Sequence, residues 1–316
     1  MTENDSERNS PRASALRPEA GPDTPTAKTK ASGGALFVVA TPIGNLGDIT
    51  LRAIKVLGEV DLIACEDTRR TATLLATHGI RKPLVSYFEH NELKRVPELV
   101  ERLKHGAAIA LVSDAGTPAI SDPGYRLVRA ALDAGCRVLS VPGPSALTAA
   151  LSIAGLPTDR FCFEGFLPAR SAARKKALIA LKHEARTMVF FEAARRLGEA
   201  LSEMAEIFGA DRQAAIVREV SKIYEETLRG TLGDLVAAGA GLKGEVTLIV
   251  AGAAETKIPA SDAAGLTVEA LREAGMGLKQ ASDLIAQLTG RSRREVYQEA
   301  LRKAARTPDY GGTEEE

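Results

Sequence analysis

The sequence predicts an α/β protein: two α/β domains with a ligand cleft between them, followed by a small C-terminal helical segment. Short apolar runs of strand length alternate with stretches of helical periodicity through most of the chain, the pattern of βα units that build a mostly parallel sheet. Three of these runs lead straight into turns rich in Gly and Pro. They are Thr41 to Asp48 after Leu36 to Ala40, Ser113 to Gly124 after Ala108 to Val112, and Pro142 to Ser145 after Arg137 to Val141. Finally, 316 residues with 45% hydrophobic content supply enough apolar mass for two cores.

Residues 1–33 hold Pro11, Pro18, Pro22 and Pro25 among Ser, Thr and charged side chains, and read as a disordered leader. The first domain, 34–150, is expected to carry strands at Leu36 to Ala40, Leu62 to Cys65, Val85 to Phe88, Ala108 to Val112 and Val138 to Val141. Helical patterns fall near 49–58, 69–78, 91–105 and 123–134. Asp48 and Asp122 read as N-caps, with Pro123 in the first helical position after the second, while Gly79, Gly106 and Gly135 stop helices. A helix after Pro144 runs to Ile153 and ends at Gly155-Leu-Pro157. The second domain, 151–256, is expected to place strands at Phe161 to Glu164, Thr187 to Phe191, Ala214 to Arg218 and Val246 to Val250, with helices near 171–183, 194–208 and 231–238. The segment 257–307 is helical, near 268–274, 278–289 and 292–305, with Gly290 turning the last two into a hairpin. Residues 308–316 read as a disordered tail.

Composition removes several function classes. The chain balances 41 basic against 41 acidic side chains, so any charged partner must be read from local patches. Cys65, Cys136 and Cys162 are odd in number and widely spaced, and with His78, His90, His105 and His183 they form no metal-ligand spacing; no metal and no disulfide framework are expected. No apolar run reaches the roughly 18 residues of a membrane span, and the start lacks a signal peptide's apolar core, so a cytoplasmic location is expected. The chain has no G-x-x-x-x-G-K-[ST], no G-x-G-x-x-G in its first loop and no G-x-S-x-G, which disfavours nucleotide hydrolysis, dinucleotide binding and serine hydrolysis. In an open parallel sheet the three Gly/Pro turns converge at the strands' carboxyl ends, forming a crevice of bare backbone suited to an uncharged or cationic ligand with few phosphates.

The loop Ala40-Thr-Pro-Ile-Gly-Asn-Leu-Gly-Asp48, the run Cys65-Glu-Asp-Thr-Arg-Arg70, the Ser113 to Gly124 loop and Val141-Pro-Gly-Pro-Ser-Ala146 together resemble the tetrapyrrole methylase family, in particular its members that act on ribosomal RNA. Arg218-Glu-Val-Ser-Lys222 with Tyr224-Glu-Glu226, and Gly244-Glu-Val-Thr-Leu-Ile249, extend the likeness, which covers about Leu36 to Gly252; Gly275 to Lys303 resembles those members' C-terminal helices. Members that methylate corrins and porphyrins have Gly-Asp-Pro where this chain has Gly116-Thr-Pro118. The resemblance implies S-adenosyl-L-methionine held in the cleft between the two domains by Ile43, Gly44, Thr117, Ile120, Ser145 and Ala146, with Phe191, Val246 and Thr247 from the second domain. For Ile120 and Phe191, plain core packing is the other reading. It further implies 2′-O-methylation of a cytidine ribose in the decoding region of 16S rRNA, the small ribosomal subunit as partner, and a homodimer.

A ribose hydroxyl is barely ionised at neutral pH, so transfer needs both positioning and local proton removal. Glu66 and Asp67 end a predicted strand at the crevice and Arg69 is near enough to hold a phosphate or a carboxylate, although an N-cap with an ion pair explains them too. Asp114, Glu219 and Lys222 are further candidates, and the sequence does not single out the base. For RNA, Phe166 to Arg196 holds eight basic against two acidic residues, including Arg170, Arg174, Lys175, Lys176, Arg195 and Arg196. The stretch Arg272 to Arg306 holds eight against four. A solvated helix face is the competing explanation for both. Aromatic residues make up 4% of the chain, leaving Tyr87 and Phe166 as candidates for base stacking. The family's Glu-x-Pro-His-Arg is Glu192-Ala-Ala-Arg-Arg196 here. Two rival readings stand beside rRNA methylation: a same-fold enzyme acting on a tetrapyrrole precursor, and a non-catalytic ribosome-binding factor.

Overall fold

The structure, a computed structural model, describes residues 34–254 and 267–304. The expected leader over 1–33, the tail over 308–316 and Arg306 lie outside the described residues. The chain divides into two compact units, one of Met1–Ile153 with Val217–Glu226 and one of Ala154–Ile216 with Thr227–Glu316.

In the first unit β1 (Ala35–Val39), β2 (Leu62–Cys65), β3 (Leu84–Ser86), β4 (Ala108–Val112) and β5 (Arg137–Val141) form one sheet in the order β3-β2-β4-β1-β5. Every neighbouring pair is parallel. The connecting helices are α1 (Leu51–Glu59), α2 (Thr68–Thr77), α3 (Glu92–Lys104) and α4 (Tyr125–Asp133), and α5 (Ala146–Ile153) follows β5. Both sheet faces are covered. Phe37, Val39, Ile63, Cys65 and Val112 pack with Val56 and Leu57 of α1 and Leu75 of α2. Leu36, Ala64, Ile109 and Leu111 pack with Leu99 and Leu103 of α3 and Leu127 of α4. Burial on both faces is why β2 and β4 read as unbroken apolar runs rather than alternating ones. Because β1 lies between β4 and β5, the loops that follow these three strands stand side by side at the carboxyl end.

Two caps differ from the sequence reading. Asp48 closes a 3-10 turn, Leu46–Asp48, and the cap of α1 is Thr50, whose hydroxyl accepts from the Ala53 amide at 3.1 Å. Helix α4 starts at Tyr125, with Gly124 (φ 148°) as its cap, so Asp122 does not cap it. The Pro123 carbonyl instead accepts from the Ala119 amide at 3.3 Å, which turns Ala119 to Pro123 into a closed loop.

The second unit has a five-stranded sheet of β6 (Phe161–Phe166), β7 (Thr187–Ala193), β8 (Gln213–Arg218), β9 (Glu226–Thr231) and β10 (Glu245–Val250), in the order β6-β7-β10-β8-β9. It is mixed: β6 runs parallel to β7, and β7 antiparallel to β10. The edge strand β9 escapes the sequence because Glu226-Thr-Leu-Arg-Gly-Thr231 contains one aliphatic residue and no apolar alternation. Helices α6 (Ser171–Leu181), α7 (Ala194–Phe208) and α8 (Leu232–Ala238) complete the core, where Phe190, Leu197, Leu201, Met204 and Leu248 are fully buried. At the end, α9 (Val268–Glu273), α10 (Leu278–Thr289) and α11 (Arg293–Ala304) pack around Val268, Ile285, Val296 and Ala300. Gly290, left-handed at φ 65°, terminates α10.

Candidate active site

The three turns of the first unit are fastened to one another. Thr41 and Gly116 exchange backbone hydrogen bonds at 2.9 and 3.0 Å, and the Thr41 hydroxyl donates to the Ser113 carbonyl at 3.1 Å. The Thr117 hydroxyl donates to the Pro144 carbonyl at 3.4 Å, tying the second loop to the third. That link depends on a donor. An ionised aspartate at position 117 would set a negative oxygen against the carbonyl, so Gly-Thr-Pro builds a different junction from Gly-Asp-Pro. Gly116 sits at φ 81°, where a side chain is strained. Ile43, Thr117, Ser145 and Ala146 are half-buried around this floor and Gly44 is exposed. Ile120 is 43% exposed, which removes core packing as its explanation.

The Val217–Glu226 segment is also part of this unit, and it clasps the first loop. The Lys222 side chain lies over Gly44: a Cβ built on that glycine would come 2.3 Å from Lys222 Cγ and 2.7 Å from Cε. Lys222 Nζ pairs with Glu219 Oε1 at 3.0 Å, and the Ser221 hydroxyl donates to Asp48 at the end of the first loop. Glu219 (φ 51°) and Ser221 (φ 67°) both take the left-handed conformation, at a cost of about 1–2 kcal/mol each.

A group of carboxylates gathers where β2 and β4 end. Glu66 is half-buried, and desolvation followed by the Asp114 charge pushes its pKa up. Asp114 accepts from the Asp67 amide at 3.0 Å and pairs with Arg70 at 3.2 Å. Asp67 caps α2 by accepting from the Arg69 amide at 2.8 Å, and it pairs with Arg69, whose side chain is 91% exposed. These bonds hold the Asp67 carboxyl below its usual range. The cap-and-ion-pair arrangement therefore accounts for Asp67 and Arg69 without chemistry. Asp122 joins this group: desolvation, then the Glu66 charge, raises it to about 6. Sequence reasoning missed it because Asp-Pro is a helix-start signal whatever the carboxylate faces. It also missed Glu92, buried beside Tyr87, where one oxygen accepts from the Tyr87 hydroxyl at 3.0 Å and the Gly124 amide at 3.1 Å, fixing the end of the second loop to α3. Tyr87 is consequently 1% exposed and offers no stacking face. Among the described residues no group of three or more His, Cys, Asp or Glu side chains is placed to hold a metal ion, and no helix is long and apolar enough to cross a membrane.

A family model of tetrapyrrole (corrin/porphyrin) methylases matches residues 35–236. The chain belongs to the tetrapyrrole methylase family. A second model, of the RsmI C-terminal HTH domain, matches 259–304. Ribosomal RNA small subunit methyltransferase I of Xylella fastidiosa is 49% identical over 84% of this chain and 98% of its own length, and that of Escherichia coli O157:H7 is 46% identical over 85% and 96%. Among solved structures, uroporphyrin-III-C-methyltransferase from Thermus thermophilus shares 23% identity with a TM-score of 0.51, over 69% of this chain and 94% of that one. A conserved hypothetical protein from Aeropyrum pernix K1 shares 18% with a TM-score of 0.54, over 86% and 98%. These two likenesses concern the fold.

In this member of the family the second-unit residues divide by strand parity. Phe191 and Thr247 are cross-strand partners on one face, where Phe191 packs edge-on against Phe163 at 4.9 Å and beside the exposed Phe166 at 5.6 Å. Val246 points the other way, into the core. The basic patch is smaller than its composition suggests. Arg174 is 1% exposed, with its guanidinium held by Glu203 at 2.6 Å and Glu199 at 3.0 Å, so it is a core residue and not an RNA contact. Lys175 pairs with Glu206 at 2.7 Å, and Arg196 pairs with buried Glu192, whose carboxylate also accepts from the Ala193 amide at the start of α7. Arg170, Lys176 and Arg195 remain exposed. In the C-terminal hairpin Arg291 pairs with Glu299 and Arg293 with Asp283, which leaves Arg294 and Arg302 turned outward on α11.

Proposed function

We propose that this chain transfers a methyl group from S-adenosyl-L-methionine to the ribose 2′-hydroxyl of a cytidine in the decoding region of small-subunit rRNA. The observation that carries the reading is the near-full-length identity of 42–50% to curated relatives that share the name ribosomal RNA small subunit methyltransferase I. The tetrapyrrole enzyme, at 23%, shares the fold.

The first unit's loops fit the cofactor. Their floor is backbone and small side chains, and the carboxylates of Glu66 and Asp122 stand nearby without an ion pair among the described residues, which suits a cation and disfavours a polyphosphate. Ile43, Gly44, Thr117, Ile120, Ser145 and Ala146 would hold it. Bound S-adenosylmethionine supplies an electrophilic methyl on a sulfonium. The chain's own part is to position the acceptor oxygen and take its proton. Arg170, Lys176 and Arg195 on the second unit, and Arg294 and Arg302 on α11, offer the phosphate-binding charge. The same reading makes the protein a cytoplasmic homodimer acting on the small subunit.

The test is transfer of labelled methyl to small subunits from a strain lacking this gene, with nucleoside mass spectrometry of the rRNA. A single 2′-O-methylcytidine is expected. Measurable cofactor binding with no transfer to subunit or naked rRNA would overturn the assignment of the acceptor.

A further inference from the structure

We propose that Glu219 and Lys222 form the acceptor-activating pair of this methyltransferase, Glu219 taking the ribose proton and Lys222 holding the developing oxyanion. The inference rests on the function proposed above and assigns its chemistry to residues of the Val217–Glu226 clasp.

The geometry carries it in three steps. First, the pair is delivered to the cofactor loop: the Lys222 stem occupies the space a side chain at Gly44 would need, so the ammonium is fixed relative to that loop by packing as well as by its 3.0 Å contact with Glu219. Second, the segment is held under backbone strain. Glu219 and Ser221 are both left-handed without being glycine, and the strain is retained by Ser221 donating its hydroxyl to Asp48 and its amide to Glu225 at 2.6 Å. A connection between two strands has simpler routes, and conformations of this kind gather where a side chain must be aimed. Third, among the described residues no other carboxylate near the loops is paired with a lysine ammonium. Asp67 caps a helix and pairs with Arg69, Asp114 serves the Asp67 amide and Arg70, and among the described residues no salt bridge joins Glu66 or Asp122 to a lysine ammonium that could steady an oxyanion. Glu219 and Lys222 offer both functions, 17% and 25% exposed at the side chain, buried enough to strengthen the charges and open enough to meet an acceptor.

The step balances. The ribose O–H bond breaks as its proton passes to the Glu219 carboxylate, the oxygen forms its bond to the methyl carbon, and the sulfonium C–S bond breaks with the electron pair returning to sulfur. Glu219 then releases the proton to water. Lys222 stays protonated throughout, its charge paired in turn with the carboxylate and with the oxygen.

The test compares Glu219→Gln and Lys222→Met, the second of which keeps the stem over Gly44 and removes the charge. Methyl transfer to the small subunit is expected to fall about 10²- to 10⁴-fold in kcat for Glu219→Gln, with the residual rate climbing steeply with pH because hydroxide replaces the lost base. S-adenosylmethionine affinity by calorimetry and the melting temperature should match the parent for both. The double variant should be little worse than the worse single one, since the two act as a unit. A kcat within threefold of the parent for Glu219→Gln, or activity losses that track lost cofactor binding or lost thermal stability, would overturn the assignment and leave the pair a turn staple. No transfer by the unaltered chain would instead remove the function on which it rests.

Discussion

Arg174 meets Glu203 in a two-pronged ion pair, Nε to Oε2 at 2.6 Å and Nη2 to Oε1 at 3.1 Å, with the arginine almost fully buried between α6 and α7. Ser171 adds a hydroxyl to the same carboxylate at 2.6 Å, and the Arg174 hydrogen bonds draw the Glu203 carboxyl below its ordinary range. Removing one partner of such a pair strands the other charge in the interior. Arg174→Ala is therefore expected to cost about 3–5 kcal/mol, read from urea unfolding. A loss under 1 kcal/mol would mean that water reaches the pair.

The exposed charge should behave in the opposite way. Reversing Arg170, Lys176 and Arg195 to Glu is expected to leave the melting temperature within about 2 °C and to weaken rRNA binding. The slope of log affinity against log salt should fall by about 2 to 3. An unchanged titration at low salt would return these residues to an ordinary solvated helix face.

Thr117 sits where the second and third loops join. Thr117→Arg is expected to abolish calorimetrically detectable S-adenosylmethionine binding by filling the floor. Thr117→Val keeps the volume but loses the donor to Pro144, and should weaken binding by about 1 kcal/mol. Undiminished affinity in the arginine variant would take the second loop out of the site.

Asp122 gives the first unit a specific response to pH. Burial and the neighbouring Glu66 and Asp114 charges raise its pKa to about 6. The folded carboxyl keeps its proton to higher pH than the unfolded one, whose ordinary value is near 3.8. The stability it contributes is thus full below about pH 4 and is lost as pH rises through 6. Asp122→Asn cannot ionise, so it should be near neutral at pH 4 and stabilising by about 1 kcal/mol at pH 8, after allowance for partial exposure. Equal effects at both pH values would show that the carboxyl titrates normally.

The sheet of the first unit was legible because β1, β2 and β4 are covered on both faces, which leaves continuous apolar runs, and because Gly79, Gly106 and Gly135 stop the helices between them at left-handed turns. Strand β9 was not, since an edge strand needs no apolar face. The three loops could be found in the sequence, but the bonds of Thr41 to Gly116 and Thr117 to Pro144 follow from strand order, which no local pattern encodes. For the same reason Arg174 read as surface charge. A lysine- and arginine-rich helix looks basic until Glu199 and Glu203 of the next helix are placed against it. Lys222 was visible as a candidate, whereas its contact with Gly44 spans most of the chain between the two positions and appears only in the folded molecule.

That span sets the order in which the protein is finished on the ribosome. The five strands around the first loop have all emerged by Val141, yet the lysine that lies over Gly44 follows only after Ala154 to Ile216 have been made. At elongation speeds of about 5–20 residues per second, several seconds pass in which the nascent first unit has a sheet but an unclasped loop. The proposed proton-handling pair is thus absent from every truncated chain that stops short of Lys222.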